Sequence, residues 1–493
     1  MENLLIPFIV LIIYGGVLVF NGYMGWRFSQ AKMVDYFLAG RTQGWIVNSL
    51  TLMATFFSSF AILGASGMLY RHGIGFVLFS LNVPIAGALI YIFGRPLWRL
   101  GKRFDFVTPG DLMAHFFKSD VLRILYVLVG LVYVIPYIVI QIKAGGYIFS
   151  VITGGIVSFN QGAYILSGVA VVYIIAGGLR SVAWNDVFNG ALLLMGMIAG
   201  GVVTIVALGG IKKLFTSALA VNPDFLTVPG PEGYWAIPML FTYILVGSLG
   251  TMVAPAQWMR YYAARSPDVL RRSAIVFSTL LTCGYLFGVS FVGLGGRVLL
   301  PEIDPDAVFL QVITTYLPLA FASTVAIAII AAALSTANAN LHALSAILTR
   351  DIYTRFIRRG ASDKEGIFVG RIIIFMATIV ALWLALTMPG MIVPIGFISM
   401  AATMQLLPPV AALLWWPRVT KAGAITGILA GLIVLFIARS SPLGIHFGFW
   451  GVMVNATVMM LVSLLTKPRD EELLQQFGWT ALEEVETETG GTG

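Results

Sequence analysis

The sequence predicts an all-α polytopic membrane protein of about thirteen transmembrane helices, with a five-plus-five inverted repeat whose two first helices are broken. Of the 493 residues, 59% are hydrophobic and 11% are charged, which excludes an ordinary soluble globule. Apolar runs of about twenty residues, the length that crosses a bilayer, recur along the chain. Two of these runs, five runs apart, are interrupted by small and polar residues, a pattern typical of inverted-repeat membrane folds.

The apolar runs set the order of the elements. They begin near Leu4, Ile46, Gly75, Val121, Gln161, Asp186, Trp235, Ser273, Ser323, Gly366, Met391, Ala422 and Phe447. Residues 100–118 and 211–220 mix polar and apolar side chains, which predicts short helices at the membrane surface. We divide the chain into a first helix with its loop (1–45), a first repeat of spans two to six (46–208), an external loop (209–234), a second repeat of spans seven to eleven (235–416), spans twelve and thirteen (417–466) and an acidic, partly disordered tail (467–493).

Basic residues are concentrated in the loops on one side of the predicted membrane domain. The loops after spans one, three, seven and nine are rich in Arg and Lys, with the seventh-span group counted from Arg260 onward. The opposite loops carry only Arg71, Lys212, Lys213, Arg297 and Arg439. The positive-inside rule therefore predicts a cytoplasmic basic side, an external amino terminus and a cytoplasmic carboxyl terminus in the inner membrane. The net charge of +8 then reflects topology and predicts no nucleic-acid partner.

Other classes of protein are disfavoured by what the chain contains. The single cysteine, Cys283, lies in an apolar segment and predicts neither a disulfide framework nor a cysteine-built metal site. The four histidines fall in separate segments without ligand spacing, so we do not expect an enzyme. A channel and a transporter-like sensor are the alternatives from other classes, but the sequence has neither a filter-like motif nor an appended signalling domain.

The ninth apolar run is interrupted at mid-depth by oxygen-bearing side chains. These are Ser335, Thr336, Asn338, Asn340 and His342. An unpaired polar group in hydrocarbon costs several kcal/mol, so this cluster must face protein, water or a ligand. Hydroxyls and amides without a carboxylate suit a small hard cation.

The second and seventh runs are the candidates for broken helices. Ser58, Ser59 and Gly64 interrupt the second, while Gly250 and Pro255 interrupt the seventh. A broken helix leaves backbone carbonyls without partners, and a cation together with a polar substrate can supply them. Alternatively, the small residues allow neighbouring helices to pack closely.

Six stretches in the same order resemble the sodium:solute symporter family, which includes bacterial proline, pantothenate and monocarboxylate permeases and the mammalian sodium-coupled glucose carriers. They are residues 35–41, 54–67, 177–186, 255–261, 332–336 with 349–353, and 416–427. The likeness covers nearly the whole chain. It implies a LeuT-like fold and sodium-coupled import of a small organic solute by alternating access.

The resemblance also implies a sodium site. Its ligands would be the carbonyl oxygens of Ala54, Phe57 and Ala332 and the hydroxyls of Ser335 and Thr336. Five neutral oxygens suit a monovalent ion that has to be released again, whereas a proton-coupled carrier would need a titratable carboxylate at mid-depth.

A second sodium is less well supported. Asp186 matches an aspartate that the family uses in ion passage, and some members combine it with polar residues of the ninth span to hold a second sodium. Here Asn338 and Ala339 stand where hydroxyls would be expected. We therefore predict one sodium ion, with Asp186 at the cytoplasmic start of the sixth span on its exit route.

The substrate is less closely determined. Lys143 lies inside the fourth span, where it would either bind a substrate carboxylate beside Gln141 or extend toward the external interface. The other predicted substrate-lining residues are Ser58, Ser59, Phe60, Asn82, Tyr243, Thr251 and Gln405.

Three short stretches of sequence narrow the family resemblance to one subfamily. Residues 54–60, 70–76 and 107–111 look most like the monocarboxylate-type permeases, and Phe56 stands where the proline permeases carry an aspartate. This implies lactate, pyruvate, acetate or a similar small carboxylate, with pantothenate, an amino acid or a sugar as alternatives. The expected partners are this solute, sodium and the lipid bilayer, and the expected state is a monomer.

Overall fold

The computed structural model describes residues 2–28, 32–388 and 390–467. The predicted cytoplasmic tail beyond Lys467 lies outside the described residues. Within the described ranges the regular elements are helices, and an isolated bridge between Gln43 and Ala264 is the only strand-like pairing. The predicted all-helical membrane fold is confirmed.

The described residues form nine single helices that are long and apolar enough to cross a membrane. They are Leu5–Gly25, Ile74–Arg103, Asp120–Ile152, Gly178–Leu208, Pro267–Leu299, Leu319–Ile357, Asp363–Thr387, Ile392–Trp415 and Phe447–Leu465. Two bent pairs supply the second and seventh spans, and the shorter apolar helices Phe159–Val172 and Lys421–Ile437 coincide with the predicted fifth and twelfth. We number the spans one to thirteen in this chain order.

Both predicted breaks occur. In the second span, helix Trp45–Phe56 ends at Phe57, whose backbone is extended, and Phe60–His72 continues at an angle of 56°. In the seventh span, Ile237–Met252 and Pro255–Ala263 meet at 51°. Pro255 is the first residue of its helix, where its missing N–H is not needed.

The sixth span begins earlier than the apolar run indicated. Gly178 has a φ of 58° and separates it from the fifth span, so Asp186 lies about two turns inside the helix and not at its start. A Cβ atom at Gly178 would lie 2.7 Å from the Tyr36 ring, so both the backbone conformation and the close approach require glycine. The short helix predicted over 100–118 also differs: the third span continues to Arg103, and a separate helix covers Pro109–Phe117. The helix Ile211–Val221 agrees with the one predicted over 211–220.

The ninth span is the central helix of the molecule. It packs against the first, second, fourth and sixth spans. Every residue from 325 to 347 is buried, so its polar side chains face protein rather than lipid. This placement brings the middle of the ninth span against the break in the second.

Candidate functional site

Five oxygen atoms converge where the ninth span crosses the break in the second. The Ser335 hydroxyl donates to the carbonyls of Ala54, at 3.0 Å, and Ala332, at 3.1 Å. The Thr336 hydroxyl lies 3.0 Å from the Ala54 carbonyl oxygen and 3.4 Å from that of Phe57. All five residues are buried. The structure thus brings together the residues predicted to bind sodium.

The break explains why these carbonyls are available. The last carbonyls of a helix have no amide partner one turn ahead, and the extended backbone at Phe57 ends the hydrogen-bonding pattern. The hydroxyls come from consecutive residues of the ninth span and can turn their lone pairs toward a cation. Neutral carbonyl and hydroxyl oxygens are the ligand type that hard cations prefer, so the donor set fits a sodium ion.

Asp186 belongs to a different part of the site. Its carboxylate lies 3.2 Å from the guanidinium of Arg260, and both side chains are only 1% exposed. Arg260 also donates to the carbonyls of Ala256, at 2.9 Å, and Thr51, at 3.3 Å. The guanidinium therefore joins the sixth span, the second half of the seventh and the first half of the second.

The prediction that Arg260 belongs to the loop after the seventh span is wrong. It lies inside the helix Pro255–Ala263 and is fully buried. An arginine followed by two tyrosines after an apolar run resembles the end of a membrane span, so the basic residues alone did not distinguish a loop from a helix. A charge this deep requires a partner, which Asp186 supplies.

Asn338 lies on the ninth span, one turn after Ser335 on the same face. It is buried, and its side-chain carbonyl oxygen has no hydrogen-bond partner. The neighbouring polar residues bond within the protein: Asn340 donates to the Thr336 carbonyl, and His342 contacts the Phe37 carbonyl at 3.4 Å.

Polar groups at the break form the second part of the candidate site. The Ser59 hydroxyl and its backbone N–H both point to the side-chain oxygen of Gln141, at 2.8 and 3.3 Å. Ser58 accepts from the backbone N–H of Phe60. Tyr137, one turn before Gln141, has a buried hydroxyl with no partner. Sequence reasoning did not select Tyr137, although its spacing from Gln141 places both on one helix face.

An aromatic wall lies beside these polar groups. Phe397 of the eleventh span packs between Phe60, at 5.8 Å between ring centroids, Phe79, at 5.5 Å, and Tyr243, at 4.1 Å. Asn82 donates to the carbonyl of Phe79. Phe79 and Phe397 were missed because single aromatic residues in apolar spans carry no sequence signal that separates lining from packing.

Three predicted substrate residues make contacts within the protein away from this wall. Lys143 donates to the carbonyl of Gly390 at 3.0 Å, and two residues of helix turn it about 200° from Gln141. Gln405 bonds to the Gly448 carbonyl and to Asn455 in the thirteenth span. The Thr251 hydroxyl donates to the Gly247 carbonyl, one turn earlier in its own helix, at 2.8 Å.

A loop on the side opposite the basic loops packs against the second half of the second span. Asp306 in the short helix Pro305–Ala307 accepts from the backbone N–H of Ile392 at 3.0 Å, while its other carboxylate oxygen is buried without a partner. A Cβ at Gly67, in the second half of the second span, would lie 3.1 Å from that oxygen. Burial, with a further contribution from Asp304, raises the pKa of Asp306 to about 7 against the opposing effects of the Ile392 N–H and Lys143.

Curated proteins are similar to this chain over most of its length. The chain is 26% identical to the high-affinity proline transporter PutP of Bacillus subtilis, over 92% of this chain and 97% of that protein. It is 23% identical to the sodium/pantothenate symporter of Haemophilus influenzae, over 88% and 89%.

Solved structures agree on the fold. A sodium-coupled sialic acid symporter in a substrate-bound, outward-open state matches with a TM-score of 0.81 at 19% identity, covering 94% of this chain and 98% of that one. Mhp1, a nucleobase-cation-symport-1 family transporter, matches with a TM-score of 0.56 at 16% identity, covering 90% and 97%. These likenesses confirm the LeuT-like fold.

The model of the sodium:solute symporter family matches residues 36–431, which include both broken helices, the ninth span and the aspartate paired with Arg260. The relatives and structural neighbours are transporters rather than enzymes, and the family couples transport to sodium. This match covers most of the chain, and the protein therefore belongs to the sodium:solute symporter family.

Proposed function

We propose that this sodium-coupled symporter imports a small organic carboxylate, with sodium held by Ala54, Phe57, Ala332, Ser335 and Thr336. The observation that carries the proposal is the convergence of the Ser335 and Thr336 hydroxyls on the carbonyls at the break in the second span. Ser59, which follows the sodium-binding carbonyls, bonds to Gln141, and Tyr137 lies one turn before Gln141 on the same helix face. One short segment therefore contributes to both sites.

Coupling follows from this shared segment. Sodium would fix the first half of the second span against the ninth, and this would set the positions of Ser58 and Ser59 for the substrate. A ligand shifts a conformational equilibrium only by its difference in affinity between the two states. Typical coupling free energies are about 1–3 kcal/mol, which would make substrate binding about 5–150 times tighter with sodium present.

The side chains beside the break support a carboxylate as the substrate. Ser59, Gln141 and Tyr137 offer hydroxyl and amide groups to the polar end of a solute, and the aromatic wall suits a small apolar body. Proline, pantothenate and sialic acid, named for the relatives and the neighbour, all carry a carboxylate. Among carboxylates, we propose a monocarboxylate such as lactate, pyruvate or acetate.

An amino acid is the second candidate, because relatives of this chain are named as proline transporters. Phe56 counts against it, since the proline permeases have an aspartate there. The Phe56 ring packs edge-on against Phe277 at 5.0 Å and offers no group to an amine.

Orientation follows the charge distribution. We propose that the basic loops face the cytoplasm and the amino terminus faces outward, so that Asp306 lies on the external side. Sodium would leave toward the cytoplasm past Asp186, one ion for each cycle, and the two repeats would be residues 46–208 and 235–416. The protein would act as a monomer.

A ligand panel tests the substrate. Purified protein is heated with lactate, pyruvate, acetate, proline, pantothenate or glucose, each with sodium and with potassium. A ligand that binds only the folded state raises the unfolding temperature, and we expect this for small monocarboxylates in sodium alone. Stabilisation by proline and not by lactate would favour the second candidate, and stabilisation by glucose alone would overturn the carboxylate.

The contacts of Gln141 and Lys143 predict different effects on binding. Gln141→Leu is expected to lower the affinity for the carboxylate that stabilises the protein at least about tenfold. The loss of Gln141 leaves the Ser59 donors unpaired at the break. Lys143→Met is expected to change the carboxylate affinity by less than about threefold, because Lys143 bonds to Gly390 on the other side of the helix. Titration of the panel's best ligand measures both. A larger loss in Lys143→Met would make the lysine the carboxylate ligand.

The Asp306 loop predicts a dependence on external pH. Closure buries this carboxyl and raises its pKa to about 7, whereas an open loop would return it toward its usual value near 3.8. The closed loop thus binds the proton more tightly. Its stability falls as pH rises between about 4 and 7 and changes little above that range.

Alkylation measures this opening. Ala307→Cys, in a Cys283→Ser background, is treated on intact cells with an impermeant maleimide. The labelling rate of the folded protein is divided by that of the denatured protein at the same pH, because the thiolate fraction itself rises with pH. We expect this ratio to rise from pH 5 to 7 and to be much flatter in Asp306→Asn. Asp304→Asn is the control, because that carboxylate bonds to the Tyr147 hydroxyl and is not the buried group. It should keep the rise with pH but move it to lower pH, because Asp304 contributes to the raised pKa of Asp306. The same slope in Asp306→Asn would show that another group sets the closure.

A further inference from the structure

A groove on the outer surface of the membrane domain lies between the third and eighth spans. Its volume is about 750 Å³. The third span contributes Gly87, Ala88 and Tyr91, and the eighth contributes Arg271, Ala274 and Ser278. None of the sodium and substrate residues lines the groove.

Close helix packing forms the floor of the groove. A Cβ at Gly87 would lie 1.8 Å from the Ser278 hydroxyl oxygen, so the two helices touch at this point. On either side, the small side chains of Ala88 and Ala274 leave space. Ala88 is exposed, which means that the groove opens toward the surrounding lipid.

One end of the groove is positively charged. Arg271 is exposed and lies near the start of the eighth span. Arg95 lies one turn beyond Tyr91, and its guanidinium is 3.2 Å from the Tyr91 hydroxyl. The third span ends and the eighth begins on the basic side, so both arginines lie at the same membrane face. Asp268 is the one carboxylate in the first turn of the eighth span.

The length of the groove is close to the hydrocarbon thickness of one bilayer leaflet. From Arg271 to Thr279 the groove follows eight residues of helix, or about 12 Å. Half of a bilayer's hydrocarbon is about 15 Å thick. A second groove, of about 410 Å³, provides a contrast. The residues that line it, which include Met195 and Val325, are all apolar and would not distinguish one headgroup from another.

We propose that this groove binds one anionic phospholipid, with its phosphate on Arg271 and Arg95 and an acyl chain along Gly87, Ala88 and Ala274. Basic pockets between membrane helices on the cytoplasmic side recognise anionic headgroups. A zwitterionic lipid would bring its own positive charge to the two arginines. Free phosphate would lack the apolar contacts along the groove.

The test uses the full chain in detergent, with phosphatidylglycerol or phosphatidylcholine added. Native mass spectrometry counts retained lipid, and the unfolding temperature is measured in parallel. We expect preferential retention of phosphatidylglycerol. Arg271→Ala should weaken it about fivefold, the effect of one arginine near a membrane surface. Ala88→Phe, which fills the groove, should weaken it at least as much.

Arg272→Ala is the matched control, because this neighbouring arginine is also exposed but does not line the groove. It should retain phosphatidylglycerol like the unchanged protein, and all variants should keep sodium-driven uptake if they are folded. Equal losses in Arg271→Ala and Arg272→Ala would mean that general surface charge binds the lipid. Equal retention of phosphatidylcholine, or the same stabilisation by inorganic phosphate, would also overturn the proposal.

Discussion

Replacing Thr336 with alanine is expected to raise the sodium concentration for half-maximal uptake at least about tenfold, and Ser335→Ala is expected to act in the same direction. Each change removes one hydroxyl oxygen from the five that converge at the break. A hydrogen-bonding group that serves a charged partner contributes about 1.5–3 kcal/mol, equivalent to about 10–150-fold in affinity. The selectivity among substrates should change far less, because neither hydroxyl faces Gln141 or the aromatic wall.

Ser345→Ala provides the control for these two variants. Ser345 lies on the same helix, is equally buried and donates to the Gly370 carbonyl at 2.9 Å, so its loss removes a hydroxyl of the same kind away from the break. Sodium titrations of initial uptake rates in proteoliposomes measure all three. An equal shift in Ser345→Ala would show that the effect is one of helix packing. Uptake that persists without a sodium gradient would contradict the mechanism.

The structure brings the five residues of the predicted sodium site together, and local sequence patterns explain why they could be selected in advance. Ser335 and Thr336 stand out as hydroxyls in an apolar helix, and Ala54 and Phe57 lie in an interrupted one. The family resemblance then paired the two segments. Backbone carbonyls become ligands wherever a helix breaks, whatever their side chains, so this part of the site depends little on details of packing.

The substrate residues were harder to predict because their roles depend on which way each side chain points. Gln141 and Lys143 are two residues apart and face nearly opposite directions, a difference that their polarity alone does not show. Gln405 is as polar as Gln141 but joins the last spans together. Tyr137 and Phe397 border the break and resemble ordinary packing residues in the sequence. Only the helix crossings distinguish these cases.

The buried pair of Asp186 and Arg260 predicts a large loss of stability in Asp186→Asn. Removing one partner of a buried ion pair costs about 3–5 kcal/mol because the other charge stays buried without compensation. Arg260 would keep its bonds to the Thr51 and Ala256 carbonyls, which cannot neutralise it. We expect a markedly lower unfolding temperature and poor yield. Asp105→Asn should have little effect, since Asp105 is 76% exposed in its pair with Arg41.

A double variant separates the two roles of Asp186. Asp186→Asn combined with Arg260→Gln leaves two neutral, hydrogen-bonding side chains in place of the pair, so most of the stability should return. If Asp186 also carries sodium toward the cytoplasm, the stable double variant should still transport slowly, because an amide offers the ion no negative charge. Unfolding temperature and uptake rate, measured on the same preparation, would then diverge. Recovery of both together would assign Asp186 to the ion pair alone, and the exit of sodium would have to follow another path.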